Sequence, residues 1–244
     1  VSGVFLIVVL CCFLTGLAKG GLGQALGSLV TPLLALVLPA PLAVGLTLPI
    51  FVVGDVFAAA AHWRGWDTRI LLAVLPGSIL GVIVGSLTLG QLPPATLQHG
   101  LGVVALLYVA YRLWDRRHAK VQTDSGPSQT ASHLYGAGSA FASTVANAGG
   151  PSFTIYMLLW KRTPAIFVGT MALYFAMLNA LKIPGYLVSG TLSPERILLV
   201  VWALPFVPFG VWSGLLLDKR IDMATFERLV LFLLAFSGVI LILK

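Results

Sequence analysis

Apolar residues fill long blocks along the chain, and charges or Pro/Gly clusters mark the joints between them. Cutting at those joints leaves ten segments, at 1–18, 21–38, 42–62, 69–90, 96–114, 133–147, 151–160, 164–188, 196–217 and 224–243. As helices, 42–62, 69–90, 96–114, 164–188, 196–217 and 224–243 are long enough to cross a hydrocarbon core of roughly 30 Å. Segments 133–147 and 151–160 are short for a crossing. They either reach across at the limit or form a re-entrant hairpin, which is tolerated where its backbone is buried in protein or lines a wet cavity. The same two readings apply to 1–18 and 21–38, joined by Lys19, Gly20, Gly21 and Gly23. The start, VSGVFLIVVLCCFLTGLAKG, has the apolar run of a signal peptide without its basic lead, and reads as a retained membrane segment.

Composition sharpens this picture. Of 244 residues 58% are hydrophobic and only 9% charged, with mean hydropathy +0.98, where a soluble domain is about 25% charged. So few charges cannot cover a soluble core of this length, which argues against a soluble enzyme, a disordered chain and a disulfide scaffold. The net charge of +7 sits in short clusters between apolar runs, with no aromatic-basic face to follow nucleic acid. Cys11 and Cys12 lie inside an apolar run and read as small packing residues.

The basic clusters orient the chain. If 1–38 and 133–160 each return to the side they entered, one side holds Arg64, Arg69, Arg112, Arg116, Arg117, Lys120, Lys161, Arg162, Lys219 and Arg220. The other holds little beyond Arg196 and Lys244. That asymmetry is the positive-inside pattern, and it turns both termini away from the cytoplasm.

The polar stretch 115–132 separates two similar halves, 1–114 and 133–244, and reads as a cytoplasmic linker. Pro76, Gly81, Gly85 and Ala95-Thr96 recur 129 residues later as Pro205, Gly210, Gly214 and Ala224-Thr225. Val44-Gly45 recurs 124 residues later as Val168-Gly169, a spacing that also aligns Asp55 with Asn179. With an odd number of crossings per half, the halves are inverted. The expected fold is an all-α polytopic membrane protein of two inverted repeats, each a Gly/Pro-interrupted hairpin plus three transmembrane helices. Such repeats are typical of secondary transporters, whose sites lie where broken segments of the two halves meet.

With GLAKGGLGQALG and TPLL (31–34), PLAVGLT (41–47), ANAGGP (146–151) and FVGTMALYF (167–175), the sequence resembles the TauE/SafE sulfite exporter family over essentially its whole length. The resemblance implies a bacterial-type inner-membrane permease that exports sulfite, a sulfonate or a related small anion.

Sulfite needs several convergent donors, and the two interrupted hairpins are the candidates to supply them. In the first, Gly20, Gly21 and Gly23 leave backbone N–H groups uncovered, a helix starting near Gln24 aims its positive end at the break, and Lys19 adds a charge. In the second, Asn147, Gly149, Gly150 and Ser152 repeat the pattern, with Thr144 as a further hydroxyl donor. The alternative is that these glycines are only tight bends and packing sites, and that Lys19 is a surface topology charge. Asp55 sits at mid-depth of its segment, where a charge is costly and therefore functional by default. It carries a proton, or pairs with Lys182, with Asn179 as its uncharged counterpart. Gly77, Gly81, Gly85, Gly210 and Gly214 suit close helix packing, and such faces are compatible with a homodimer.

His62, Trp63, Arg64 and Trp66 mark a membrane interface. No metal spacing, cofactor motif, HExxH, GxSxG or P-loop is present, so the expected partners are a small anion and the lipid bilayer, and no catalytic residue, metal or cofactor is assigned. A sulfonate or other organic anion, an anion channel, an intramembrane enzyme and a membrane scaffold are the competing readings.

Overall fold

The computed structural model describes residues 2–22, 24–115, 126–217 and 223–244, and among them every regular element is helical. Helix α1 (Ser2–Leu17) continues through one π-helical turn (Ala18–Leu22) towards α2 (Gln24–Val37). Helices α3 (Ala40–Ala61), α4 (Thr68–Gln91) and α5 (Pro94–Asp115) complete the first half. The second contains α6 (Gln129–Ala146), α7 (Gly150–Leu158), α8 (Pro164–Val188), α9 (Pro194–Val201), α10 (Phe206–Leu217) and α11 (Met223–Leu243). The expected linker lies between α5 and α6, and its residues 116–125 fall outside the described residues, as do Lys219 and Arg220.

The helix starts are written in side chains that accept backbone N–H bonds. Asp67 accepts from Arg69 and Ile70 at α4, Ser128 from Ala131 at α6, Thr163 from Ile166 at α8 and Ser193 from Arg196 at α9. Ser128 explains why α6 begins four residues before the expected segment 133–147.

One expected crossing, 196–217, is broken. Its two parts, α9 and α10, bend by 53° across residues 202–205. Pro205 has no N–H to offer the carbonyl one turn back, and Pro208 repeats the defect three residues on. Pro76, the counterpart of Pro205, lies inside an unbroken α4, where Ile79 stands in place of the second proline.

Among the described residues, four stretches have both the length and the apolar composition of a membrane crossing: Gly3–Gly21, Ala40–Ala61, Thr68–Gln91 and Pro164–Val188, with bent α9–α10 as a fifth. The expected crossing at 96–114 has the length, as α5, but its composition keeps it out of that set. At about 1.5 Å per residue, the 14 residues of α2 and the 9 of α7 fall short of the core thickness.

Glycines let the helix backbones touch. A Cβ on Gly16 of α1 would stand 2.1 Å from the Val207 carbonyl oxygen of α10, and one on Gly210 would stand 2.3 Å from that of Phe13. Between α4 and α6 the pattern repeats, with Gly77 at 1.9 Å from the His133 carbonyl oxygen and Gly81 at 2.3 Å from that of Ala137. The glycine series thus meets helices of its own chain. Helix α3 packs on α8, and α5 on α11. The outer faces carry exposed Leu72, Leu80, Leu107, Phe209, Trp212 and Phe232, while Asp55, Asn179 and Lys182 are buried. Apolar outside and charged inside is the arrangement a bilayer demands and water opposes.

Candidate functional site

A continuous chain of polar side chains crosses the interior where α1, α3, α6 and α8 converge. The Lys19 ammonium is ion-paired with Asp55 Oδ1. Asn179 Nδ2 donates to Asp55 Oδ2 at 2.6 Å. Lys182 Nζ donates to Asn179 Oδ1 at 3.0 Å and to Asn147 Oδ1 at 3.1 Å. A lysine ammonium only donates, so both asparagines must turn their oxygens towards it. This fixes Asn179 Nδ2 on the carboxylate and leaves Asn147 Nδ2 buried and, among the described residues, without a hydrogen-bond partner.

That orphaned donor belongs to a cleft lined also by Lys19, Thr15, Ser143, Phe51, Phe175 and Gly150. A buried amide N–H without an acceptor is costly, and the pocket it lines offers an acceptor a place to sit. The Lys19 Nζ lies 5.9 Å from the Phe51 ring centre and 5.6 Å from that of Phe175, within cation–π range of both. Helix α7 opens beside it at Gly150, its N-cap Gly149 supplying no side-chain bond. The first N–H groups of that helix are uncapped by side chains and favour negative charge.

Local sequence explains this geometry. Asn147 ends α6 in the left-handed conformation (φ 52°, ψ 29°), which Asn tolerates better than other side chains. One residue thus stops the helix and aims its amide. Gly21 takes φ 135° at the end of the first hairpin's helix, a backbone open to glycine alone in practice. Gly54 leaves space for the Lys19 stem, since a Cβ there would stand 3.2 Å from Lys19 Cγ.

Of the residues expected from the sequence, Lys19, Asn147, Gly150 and Asn179 line the cleft, and Asp55 and Lys182 connect to it. Lys19, with its side chain 14% exposed, is an interior charge rather than a surface one. Asp55 pairs with Lys19, not with Lys182, which it reaches through Asn179. Thr144 turns away, donating to the Ala140 carbonyl at 2.8 Å and packing against Gly85 of α4. Gly20 packs on Val211 and Gly214 of α10, and Gly149 faces Ser139, whose hydroxyl donates to its carbonyl. Ser152 is not among the lining residues. Gly23 and the side chain of Gln24 lie outside the described residues.

The sequence reading missed the lining residues Thr15, Ala18, Gly27, Ser28, Phe51, Ser143 and Phe175. The 124-residue spacing contains the signal: it pairs Phe51 with Phe175, Lys19 with Ser143 and Thr15 with Ser139.

At one end of the bundle a second ion pair joins the start of α4 to the connection between α7 and α8. Arg162 Nε donates to Asp67 Oδ2 at 2.7 Å, and the Thr170 hydroxyl accepts from the Asp67 N–H. Burial pushes the Asp67 carboxyl up, but the Arg162 bond and the N–H groups of Arg69 and Ile70 outweigh it and hold it below the ordinary carboxylate value.

The model of the family described as sulfite exporter TauE/SafE matches residues 8–241, nearly the whole chain. No curated protein and no solved structure matches it.

Proposed function

The chain belongs to the TauE/SafE sulfite exporter family, and from that premise we propose that it is a secondary transporter exporting sulfite or a closely related small sulfur oxyanion. The carrying observation is the Asn147 amide nitrogen, unpartnered among the described residues, on a residue that lines the same interior cleft as Lys19. A charge-assisted bond from Lys19, a neutral donor from Asn147 and the open N-terminus of α7 converge on one small space, as an oxyanion requires.

Alternating access between inverted halves is the mechanism we assign. Its support is a shared packing register. Gly210 and Gly214 of α10 approach Phe13, Gly16, Leu17 and Gly20; Gly81 and Gly85 of α4 approach Ala137, Ala140, Phe141 and Thr144. Each contact maps onto its counterpart by the spacings of 129 and 124 residues seen in the sequence. Each half therefore holds the other's hairpin in the same way, an arrangement suited to rocking about the cleft. Helix ends contribute too. The Asp67–Arg162 pair gathers Arg64, Arg69, Lys161 and Arg162 at one end, and Lys244 donates to the Leu36 carbonyl at the other. We assign the basic end to the cytoplasm of the inner membrane, with both termini facing away from it.

The Phe51 and Phe175 rings favour a second reading, in which the substrate is a sulfonate with an apolar carbon beside its charged group. Flux of labelled sulfite into proteoliposomes, competed by unlabelled taurine, sulfoacetate and sulfate, separates these readings. Saturable sulfite flux with counterflow supports the carrier; a labelled sulfonate moving in its place supports the second substrate; flux without saturation or counterflow indicates a channel.

A further inference from the structure

Three ionisable side chains meet at the cleft: Lys19 from the π-helical turn, Asp55 from α3 and Lys182 from α8. Among the described residues Lys19 is the one charged side chain that lines it, and Asp55 and Lys182 stand behind it, joined to the lining residues Lys19, Asn179 and Asn147. Asp55 accepts a bond at each oxygen, from Lys19 and from Asn179, as an ionised carboxylate does. Lys182 donates to two amide oxygens and is wholly buried. With Lys182 carrying its proton, two ammonium groups and one carboxylate sum to a single positive charge in a medium where uncompensated charge is expensive.

The repeat makes that sum specific. Asp55 and Asn179 occupy equivalent positions of the two halves, face each other across a 2.6 Å hydrogen bond, and differ by one charge. Two aspartates there would make the pocket neutral, and two asparagines would make it doubly positive. We propose that the Asp55–Asn179 pair sets the valence of the transported anion, so that the cleft takes a singly charged sulfur oxyanion in preference to a doubly charged one. Asp55 does not touch the substrate in this scheme; it subtracts one charge from the field the substrate meets. Sulfite, which exchanges a proton near neutrality, is then carried as hydrogensulfite. This rests on the anion-transport reading and narrows its substrate class.

The test compares the parent protein, Asp55→Asn, and the exchanged pair Asp55→Asn with Asn179→Asp. The probes are methanesulfonate and sulfate, tetrahedral anions whose single and double charges are fixed around neutrality. Competition with labelled sulfite in proteoliposomes is read beside ligand-induced shifts in melting temperature of the purified protein, so a variant that binds without turning over still reports. In the parent, methanesulfonate is expected to outcompete sulfate at least tenfold. Asp55→Asn should shift that ratio tenfold or more towards sulfate, and the exchanged pair should bring it back. Equal ratios in the parent and Asp55→Asn overturn the proposal, as does an exchanged pair that keeps the ratio of the single variant. A parent that neither binds nor carries any of the three anions overturns the transport reading itself.

Discussion

Lys182 Nζ bonds to the side-chain oxygen of Asn147 at 3.1 Å, tying the middle of α8 to the break between α6 and α7. The bond orients the asparagine, because an ammonium accepts nothing and the amide nitrogen is turned away from it. Lys182 is therefore a positioning residue for Asn147.

Replacing Lys182 by Met keeps a flexible chain of similar length but strips the Asn147 and Asn179 oxygens of a shared donor. Each buried orphan costs about 1–3 kcal/mol, so the variant should melt measurably lower. Its sulfite KM should rise at least tenfold, since the Asn147 amide is no longer held. A lower melting temperature with unchanged KM would confine Lys182 to stability.

Asn147 has two tasks that different substitutions separate. Asn147→Gly retains the left-handed backbone and removes the amide; Asn147→Ala removes the amide and adds left-handed strain of about 1–2 kcal/mol. Both should lose the anion contact, worth about 1.5–3 kcal/mol if charge-assisted, which means a KM higher by roughly tenfold to a hundredfold. Asn147→Ala should also melt lower than Asn147→Gly. Parent-like sulfite flux in Asn147→Gly would remove Asn147 from the site.

Glycine substitutions probe the packing of α1 on α10 and of α4 on α6. Gly16→Ala and Gly81→Ala each place a Cβ against a backbone carbonyl, at 2.1 Å and 2.3 Å, and should cost about 1–3 kcal/mol by forcing α1 from α10 or α4 from α6. Gly138→Ala meets nothing within 4 Å and should be neutral or slightly stabilising, as alanine is the better helix former. Thermal unfolding in detergent checks the order, and equal melting temperatures for all three would contradict the packing described.

Helices were legible in the sequence wherever a cap or proline coincided with a change in apolarity. The 164–188 segment has Thr163 and Pro164 at its start and was read to the residue. The break at 202–205 is not legible in the apolar pattern, because apolar residues flank Pro205 and Pro208 on both sides and hydropathy runs on where hydrogen bonding fails. At the site, Lys19 and Asn147 stood out as polar residues at glycine breaks. Thr144 looked equivalent to them, yet its hydroxyl turns back on Ala140 within its own helix, a choice that composition does not encode. Phe51 and Phe175 were hidden among similar apolar residues; only their spacing marks them.

The Asp67–Arg162 pair gives a pH dependence with a definite sign. The Asp67 carboxyl is held below its ordinary value, so the folded state binds its proton less readily than the unfolded chain. Its contribution is complete above the unfolded pKa of about 3.9 and is lost as pH falls through the lower, folded value. Asp67→Asn removes the charge but keeps a good helix cap, which isolates the ion pair. With the two side chains 17% and 18% exposed, the pair should be worth up to about 1 kcal/mol, a melting shift of roughly 2–4 °C in a chain of this size. The difference between parent and Asp67→Asn should hold from pH 7 down to about 5 and close towards pH 3, whatever other carboxylates do, because those titrate alike in both proteins. Arg162→Gln should reproduce it, and the double variant should add nothing further. A difference that persists unchanged at pH 3 would assign the effect to the cap or to packing, not to the charge.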